Sequence, residues 1–498
     1  MSAVCAQELG FSHTDRVPLF NRVTLRLTEG WYGLVGANGS GKTTFARLVL
    51  GELRPTSGRL WVQPNDAKLL LCAQSIESLP DGLMQFAEAN DRESCRWRGL
   101  LRLDPGALTR WATLSPGERK RWQLAAAIAA APDVLIVDEP TNHLDAEARE
   151  VIGDALRRFA GVGLLVSHDR ELLAALTART LRIHHGEIEL FAQSYAQAKV
   201  EWESTSERAL ELRQQQVEQK HRLEKRINVA KHEKQAAHAN RSARHRMKDR
   251  HDHDASSIMA DGRAANGEAS LSRKLGNMRA ELVRVSGQIP AFIEDKTACR
   301  NVFVDYQPAA SPRVLGIDGE DLHVGGQILL RDVRVTLGRT ARVHLTGPNG
   351  CGKSTLLRAL LGHAGAKREQ LLWLPQELDR EEVRRLQATI EELPRLERGR
   401  LMTLLVALGV EPEHLLASES PSPGEARKLK LAFGLATHAT ALVLDEPTNH
   451  LDLPSTERLE VALAAFPGAI LLVSHDAQFA AACSNATWEI QGQRVCAR

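Results

Sequence analysis

Leu135-Ile-Val-Asp-Glu-Pro-Thr-Asn-His-Leu-Asp145 and Leu442-Val-Leu-Asp-Glu-Pro-Thr-Asn-His-Leu-Asp452 share their last eight residues without a change. In each copy a short apolar run ends in an acid pair, as a buried parallel strand does when its carboxyl end meets solvent. Taken alone, Asp138-Glu139 and Asp445-Glu446 are equally well read as solvated strand-end charges or as a metal-and-water site. What stands upstream decides between these readings. Gly36-Ala-Asn-Gly-Ser-Gly-Lys42-Thr43 and Gly347-Pro-Asn-Gly-Cys-Gly-Lys353-Ser354 both match GxxxxGK[ST]. Each lies some 95 residues before its acid pair, after an apolar stretch (Gly33–Val35; Val343–Leu345) and before a helix-like one.

The offsets between the halves are nearly constant. Lys42 pairs with Lys353 at 311 residues, while Ser115 with Ser422, Asp138 with Asp445 and His168 with His475 all pair at 307. That constancy means duplicated domains rather than chance matches. Apolar runs at Leu135–Val137, Leu164–Val166, Leu442–Leu444 and Leu471–Val473 predict an α/β fold with parallel strands in both halves.

Bulk properties constrain less. A length of 498 residues predicts two or three domains. With 64 Lys+Arg against 62 Asp+Glu, the overall charge selects no partner. Seven scattered cysteines include no CxxC pair, so neither a zinc nor an iron–sulfur site is signalled. No apolar run reaches the ~18 residues that a membrane span requires, and no secretory signal is read, so a cytoplasmic protein is expected.

The residue types specify the chemistry. Glycine-rich loops let backbone N–H groups wrap a polyphosphate at a helix N-terminus. Gly36, Asn38, Gly39, Gly41, Lys42, Thr43 and Thr44 are the expected polyphosphate-binding residues of the first loop; Gly347, Asn349, Gly350, Gly352, Lys353, Ser354 and Thr355 are those of the second. Thr43 and Ser354 with Asp138 and Asp445 are expected to hold Mg²⁺, and Glu139 and Glu446 to polarise the attacking water. Gln74 and Gln376 are suited to sensing metal and water, and His168 and His475 to contacting a γ-phosphate. Ser115-Pro-Gly-Glu118 and Ser422-Pro-Gly-Glu425 read as helix capping boxes, which does not exclude an anion site because a capped N-terminus also attracts anions.

P-loop, Gln, Ser-x-Gly-Glu, Asp-Glu and His, in that order twice, resemble ATP-binding cassettes. The resemblance implies that each cassette sandwiches ATP against the other's signature, adding Ser422 and Gly424 to the first site and Ser115 and Gly117 to the second. It implies that Asp145 and Asp452 communicate between sites, and that an aromatic such as Phe11 stacks on adenine; the second cassette has only His323 nearby. Both signatures carry proline in place of the usual first glycine. The doubled EPTNHLD and the absence of membrane spans look like the ABC-F subfamily. That implies an ATPase that binds the ribosome in its ATP-closed state, reaches rRNA and tRNA near the E and P sites, and pairs its cassettes within one monomer. From Gln74 to Ser115 is 41 residues, against 46 from Gln376 to Ser422, too short for the extra arm some members carry.

The expected organisation is cassette (1–193), basic helical hairpin (194–311) and second cassette (312–498). Glu187 to Asp261 holds neither Gly nor Pro, and Ala196 to Lys248 favours helix. Gly262, Asn266 and Gly267 are expected to turn the chain, with the tip beyond about Lys231 irregular. A heptad stripe follows at Leu271, Leu275, Met278, Leu282 and Val285, matching Leu223, Ile227 and Ala230. Between Lys220 and Arg250, eleven lysines and arginines stand against three acids. Such a run suits a phosphate backbone, or is a solvated helical face. Two other classes fit the cassettes: the ATPase subunit of a membrane transporter, and a DNA-associated ATPase.

Overall fold

A computed structural model describes the chain except residues 14–17, 75, 77, 142, 143, 145, 245–254, 289–302, 304, 305, 365–369, 411, 419, 420 and 498. The described chain forms two compact units, one of Met1–Ala198 with Lys296–Arg498 and one of Lys199–Asp295.

Within the first unit, both cassettes carry a six-stranded sheet of the same topology. In the first, Leu69–Cys72, Val134–Asp138, Val162–Val166, Gly30–Gly36 and Arg179–His184 run parallel in that spatial order, and Glu187–Phe191 closes the edge antiparallel. In the second, Leu371–Leu374, Ala441–Asp445, Ala469–Val473, Arg342–Thr346 and Ala486–Gln491 repeat the pattern, closed by Arg494–Ala497. The four apolar runs picked from the sequence are central strands, and their residues are almost wholly buried. Side chains covered on both faces are why these segments are continuously apolar rather than alternating.

The P-loop, the acid pair and the histidine of each cassette all follow the carboxyl ends of adjacent parallel strands. That rim is where open α/β sheets bind ligands. An antiparallel sheet of Phe20–Thr28, Ala3–Phe11 and Ser57–Gln63 flanks the first cassette, and the pair Arg313–Val324 and Gln327–Gly338 flanks the second.

The second unit contains most of a 50-residue helix, Tyr195–Arg244, and a 34-residue helix, Ala255–Gln288. Ile227 and Ala230 of one pack against Leu275, Met278 and Leu282 of the other, the heptad positions read from the sequence. Two expectations are corrected here. The first helix continues unbroken past Lys231 to Arg244, and the second runs straight through Gly262 and Gly267 instead of turning there. A glycine costs a helix interior only ~1 kcal/mol relative to alanine, which a helix of this length absorbs. Residues 245–254, between the helices, lie outside the described part.

Candidate functional site

Two features of the P-loops force the sequence locally. Gly41 and Gly352 are the N-caps of helices Lys42–Val49 and Lys353–Gly362, with φ of 105° and 107°. A side chain there would be strained, and its Cβ would lie 2.7 Å from Phe20 in one loop and 2.8 Å from Leu329 in the other. The lysines curl over their own loops. Lys42 Nζ donates to the carbonyls of Gly36 (2.8 Å) and Ala37 (2.9 Å), and Lys353 Nζ to those of Gly347 (2.8 Å) and Pro348 (3.1 Å). Each ammonium group is thereby held over the mouth of its loop, where a phosphate would meet it. Burial lowers the Lys42 pKa, and the carboxylates of Asp452, Glu139 and Asp138 pull it back up.

At the next strand end, Glu139 and Glu446 sit in left-handed backbone, at φ of 45° and 51°. Backbone strain in a non-glycine residue at the same place in both cassettes is the kind a functional site retains. Both carboxyls are buried. Glu139 Oε2 accepts the His168 N–H at 3.3 Å and Glu446 Oε2 that of His475 at 3.2 Å. The other oxygen of each glutamate is buried without a hydrogen bond, although His168 Nε2 lies 3.2 Å from the first and His475 Nε2 lies 3.4 Å from the second. Burial pushes Glu139 up to about 8, helped by Asp138. Glu446 goes up to about 7, burial again leading, with the His475 N–H, Arg149 and Lys353 opposing. Burial, with the charge of Lys42, holds His168 down at about 4. The Glu139–His168 pair is therefore mostly neutral near neutral pH. A carboxyl that titrates near working pH is what a general base requires.

The residues expected to hold Mg²⁺ come together in the second site, where Ser354 Oγ donates to Asp445 Oδ2 at 2.8 Å. Gln376 lines the same cavity, of about 520 Å³, with Lys353, Glu446 and His475. These are hard oxygen donors and they fit the ion. Among the described residues no group of three or more His, Cys, Asp or Glu is placed to hold a metal unaided. A divalent cation there would take further oxygens from substrate phosphate, as Mg²⁺ sites commonly do. In the first site Thr43 is exposed and Asp138 part-buried at its strand end. Gln74 is exposed, next to Ser75, which lies outside the described residues.

Both Ser-Pro-Gly-Glu segments form capping boxes on helices Pro116–Ala129 and Pro423–Ala436. The Ser115 N–H donates to Glu118 Oε2 at 2.8 Å and the Glu118 N–H to Ser115 Oγ at 3.2 Å; Ser422 and Glu425 repeat this at 2.9 and 3.3 Å. Proline replaces the usual glycine because it occupies the first helical position, where its fixed φ is an advantage and no N–H is needed.

The cassettes meet through these same loops. The Asn38 N–H of the first P-loop donates to Asp452 Oδ2 at 2.5 Å, and Asn38 Nδ2 donates to the His450 carbonyl at 3.3 Å. A Cβ on Gly424 would lie 2.6 Å from that carbonyl and 3.8 Å from Asn38 Nδ2, so the second signature faces the first P-loop and requires glycine to do so. At the second cavity the first cassette contributes Arg149; Ser115 and Gly117 are not among its described lining residues. Asp145 lies outside the described residues. Phe11 requires a correction. It is buried in the core with Phe20 and Phe45, so its ring face is not open to a base, and it meets the exposed His13 edge-on at 4.9 Å. His323 is exposed at its own turn, with Nδ1 3.1 Å from the Asp321 carbonyl.

Sequence reading missed two buried cations. Lys120 donates to the carbonyls of Ala73 (2.6 Å) and Asp138 (2.9 Å), and Arg427 to those of Gln376 (2.6 Å), Asp445 (3.1 Å) and Glu446 (2.5 Å). Each ties the signature helix to the glutamine loop and the acid pair. Burial lowers the Lys120 pKa and brings Arg427 down to about 10. The signal was available, since the two stand 307 residues apart, in register with the rest of the repeat.

Paired P-loop cassettes with buried acids at the strand ends define a tandem nucleotide hydrolase. The ABC transporter family model matches residues 20–142 and 330–449. The chain is 29% identical to the ribosome protection protein VmlR of Bacillus subtilis (strain 168), over 96% of this chain and 85% of that protein. It is 30% identical to the tylosin resistance ATP-binding protein TlrC of Streptomyces fradiae, over 93% of each. Among solved structures, an RNase-L inhibitor matches the fold with a TM-score of 0.58 at 16% identity, covering 98% of this chain and 90% of that one. The chain belongs to the ABC-F subfamily of ATP-binding cassette proteins and is an ATPase. Among the described residues no helix is long and apolar enough to cross a membrane.

Proposed function

We propose that this chain binds the ribosome when ATP has closed its cassettes, modulates translation through the helices between them, and leaves after hydrolysis. The observation that carries this reading is the Asn38–Asp452 contact. A nucleotide-binding loop is itself part of the seam between cassettes, so nucleotide occupancy acts directly on their pairing. The names of relatives that protect ribosomes or resist tylosin support the choice of target. The basic run from Lys220 to Arg250 suits rRNA or tRNA near the E and P sites.

Hydrolysis proceeds by in-line attack of water on the γ-phosphorus, with cleavage of its bond to ADP. The water is polarised by Glu139 in one site and Glu446 in the other. His168 and His475 hold those carboxyls, and Lys42 and Lys353 take the phosphate charge. The P-loop N–H groups from Gly36 to Thr44 and from Gly347 to Thr355 cradle the polyphosphate, and Ser422 with Gly424, or Ser115 with Gly117, covers it from the opposite cassette. Bound Mg²⁺ would neutralise phosphate charge, held by Thr43, Asp138 and Gln74 in one site and by Ser354, Asp445 and Gln376 in the other.

The test is sedimentation of the E139Q/E446Q double variant through a sucrose gradient. Migration with ribosomes in ATP but not in ADP is expected. Failure to migrate in either state overturns the reading; recovery with DNA or with a membrane protein would favour the other two classes.

A further inference from the structure

The seam between the cassettes is not symmetric, although the repeat is. Arg149, on helix Ala146–Arg157 of the first cassette, reaches across and donates from Nη1 to the His475 carbonyl at 2.8 Å. The same nitrogen lies 3.4 Å from Asp169 Oδ2 of its own cassette. Asp169 follows His168, and His475 is the residue whose N–H holds Glu446. Arg149 therefore joins Asp169, the residue after the first site's histidine, to His475 and through it to the glutamate of the second. Arg149 also lines the second cavity beside Lys353, Asp445 and Glu446, with its Nε buried and unpartnered. Arg170 reinforces the crossing with an ion pair to Glu460 at 2.8 Å.

Neither arginine has a counterpart. At an offset of 307 the positions are Thr456 and Ala477, which carry no charge, and Thr456 is buried in its own cassette. We propose that Arg149 is a positioning residue supplied in trans to the second nucleotide site, where it holds His475 against Glu446, a crossing that the equivalent position, Thr456, cannot return to the first site. This inference rests on the assignment of Glu139 and Glu446 as the two hydrolytic acids.

The experiment measures ATP turnover by the purified full chain in two backgrounds. E139Q leaves only the second site active and E446Q only the first. R149A and R149Q are expected to lower kcat in E139Q by about tenfold or more, since small misplacements of a positioned group cost that much or greater. In E446Q the loss is expected to stay below about twofold, and R149K restores most of the E139Q rate. Equal losses in both backgrounds, or a loss that R149K does not rescue, would reduce Arg149 to an interface contact and overturn the proposal. If E139Q and E446Q each hydrolyse no faster than the double variant while the unaltered chain does, each site needs the other's acid, and a role of Arg149 confined to the second site is overturned. If the double variant is as fast as the unaltered chain, the hydrolytic assignment itself fails and the inference falls with it.

Discussion

Replacing Glu139 with glutamine should stabilise the nucleotide-free protein, by an amount that depends on pH. In the folded chain burial raises this carboxyl from 4.5 to about 8. Below pH 4.5 the group is protonated folded or unfolded, and no penalty exists. As pH rises from there the unfolded chain releases the proton and the folded chain does not, so stability falls until the folded group also ionises near pH 8. Each unit of displacement is worth about 1.4 kcal/mol, so the 2.5 units between 4.5 and neutrality cost on the order of 3 kcal/mol. Glutamine preserves shape, accepts the His168 N–H as the carboxylate does, and carries no charge to desolvate. Five of the eight tryptophans (Trp31, Trp61, Trp97, Trp111 and Trp122) lie in the first cassette, so tryptophan emission during urea unfolding mainly reports that cassette. In chelator without nucleotide, the gap between E139Q and the unaltered chain should open from near zero in mild acid to about 3 kcal/mol at neutral pH. A gap that stays constant across pH would refute the assignment of a dry, neutral acid.

If Glu139 and Glu446 are the bases proposed above, turnover should rise with pH, and the E139Q chain should reach half its maximum about one unit lower than E446Q, following values of about 7 and about 8. K120R should fold normally, because Arg427 already fills the matching place. K120M, which strands buried carbonyls, should lose about 2–4 kcal/mol in denaturant melts. D452A removes both the Asn38 contact and the cap on helix Leu453–Ala465. It should cost about 1 kcal/mol of stability and slow ATP turnover of the first site (in E446Q) more than that of the second (in E139Q).

How much of this was legible in the sequence follows from physical range. The central strands could be read because burial on both faces leaves an uninterrupted apolar run. The P-loops could be read because glycine is compulsory where φ is positive and a Cβ would strike Phe20 or Leu329. Arg149 could not, because its partner lies 326 residues away and the repeat gives no hint of a residue present in one copy only. Lys120 and Arg427 were visible but unread, since burial of a cation is not a local property. Phe11 was misplaced because an aromatic before a P-loop fits the core as well as a base. Gly262 and Gly267 were read as punctuation, yet glycine only weakens a helix and does not end it.

The signature serines are already committed within their own helices. Ser115 Oγ donates to Glu118 Oε2 at 2.8 Å, and Ser422 Oγ to Glu425 Oε2 at 2.7 Å. A γ-phosphate that takes either hydroxyl must displace a carboxylate that is itself a good acceptor. Closure over ATP at these positions is then an exchange of one anionic acceptor for another, nearly level in free energy. Such a latch would discriminate by geometry more than by strength, and if ATP closes the cassettes as proposed, release of the phosphate leaves the glutamate ready to reclaim the serine and let the halves part.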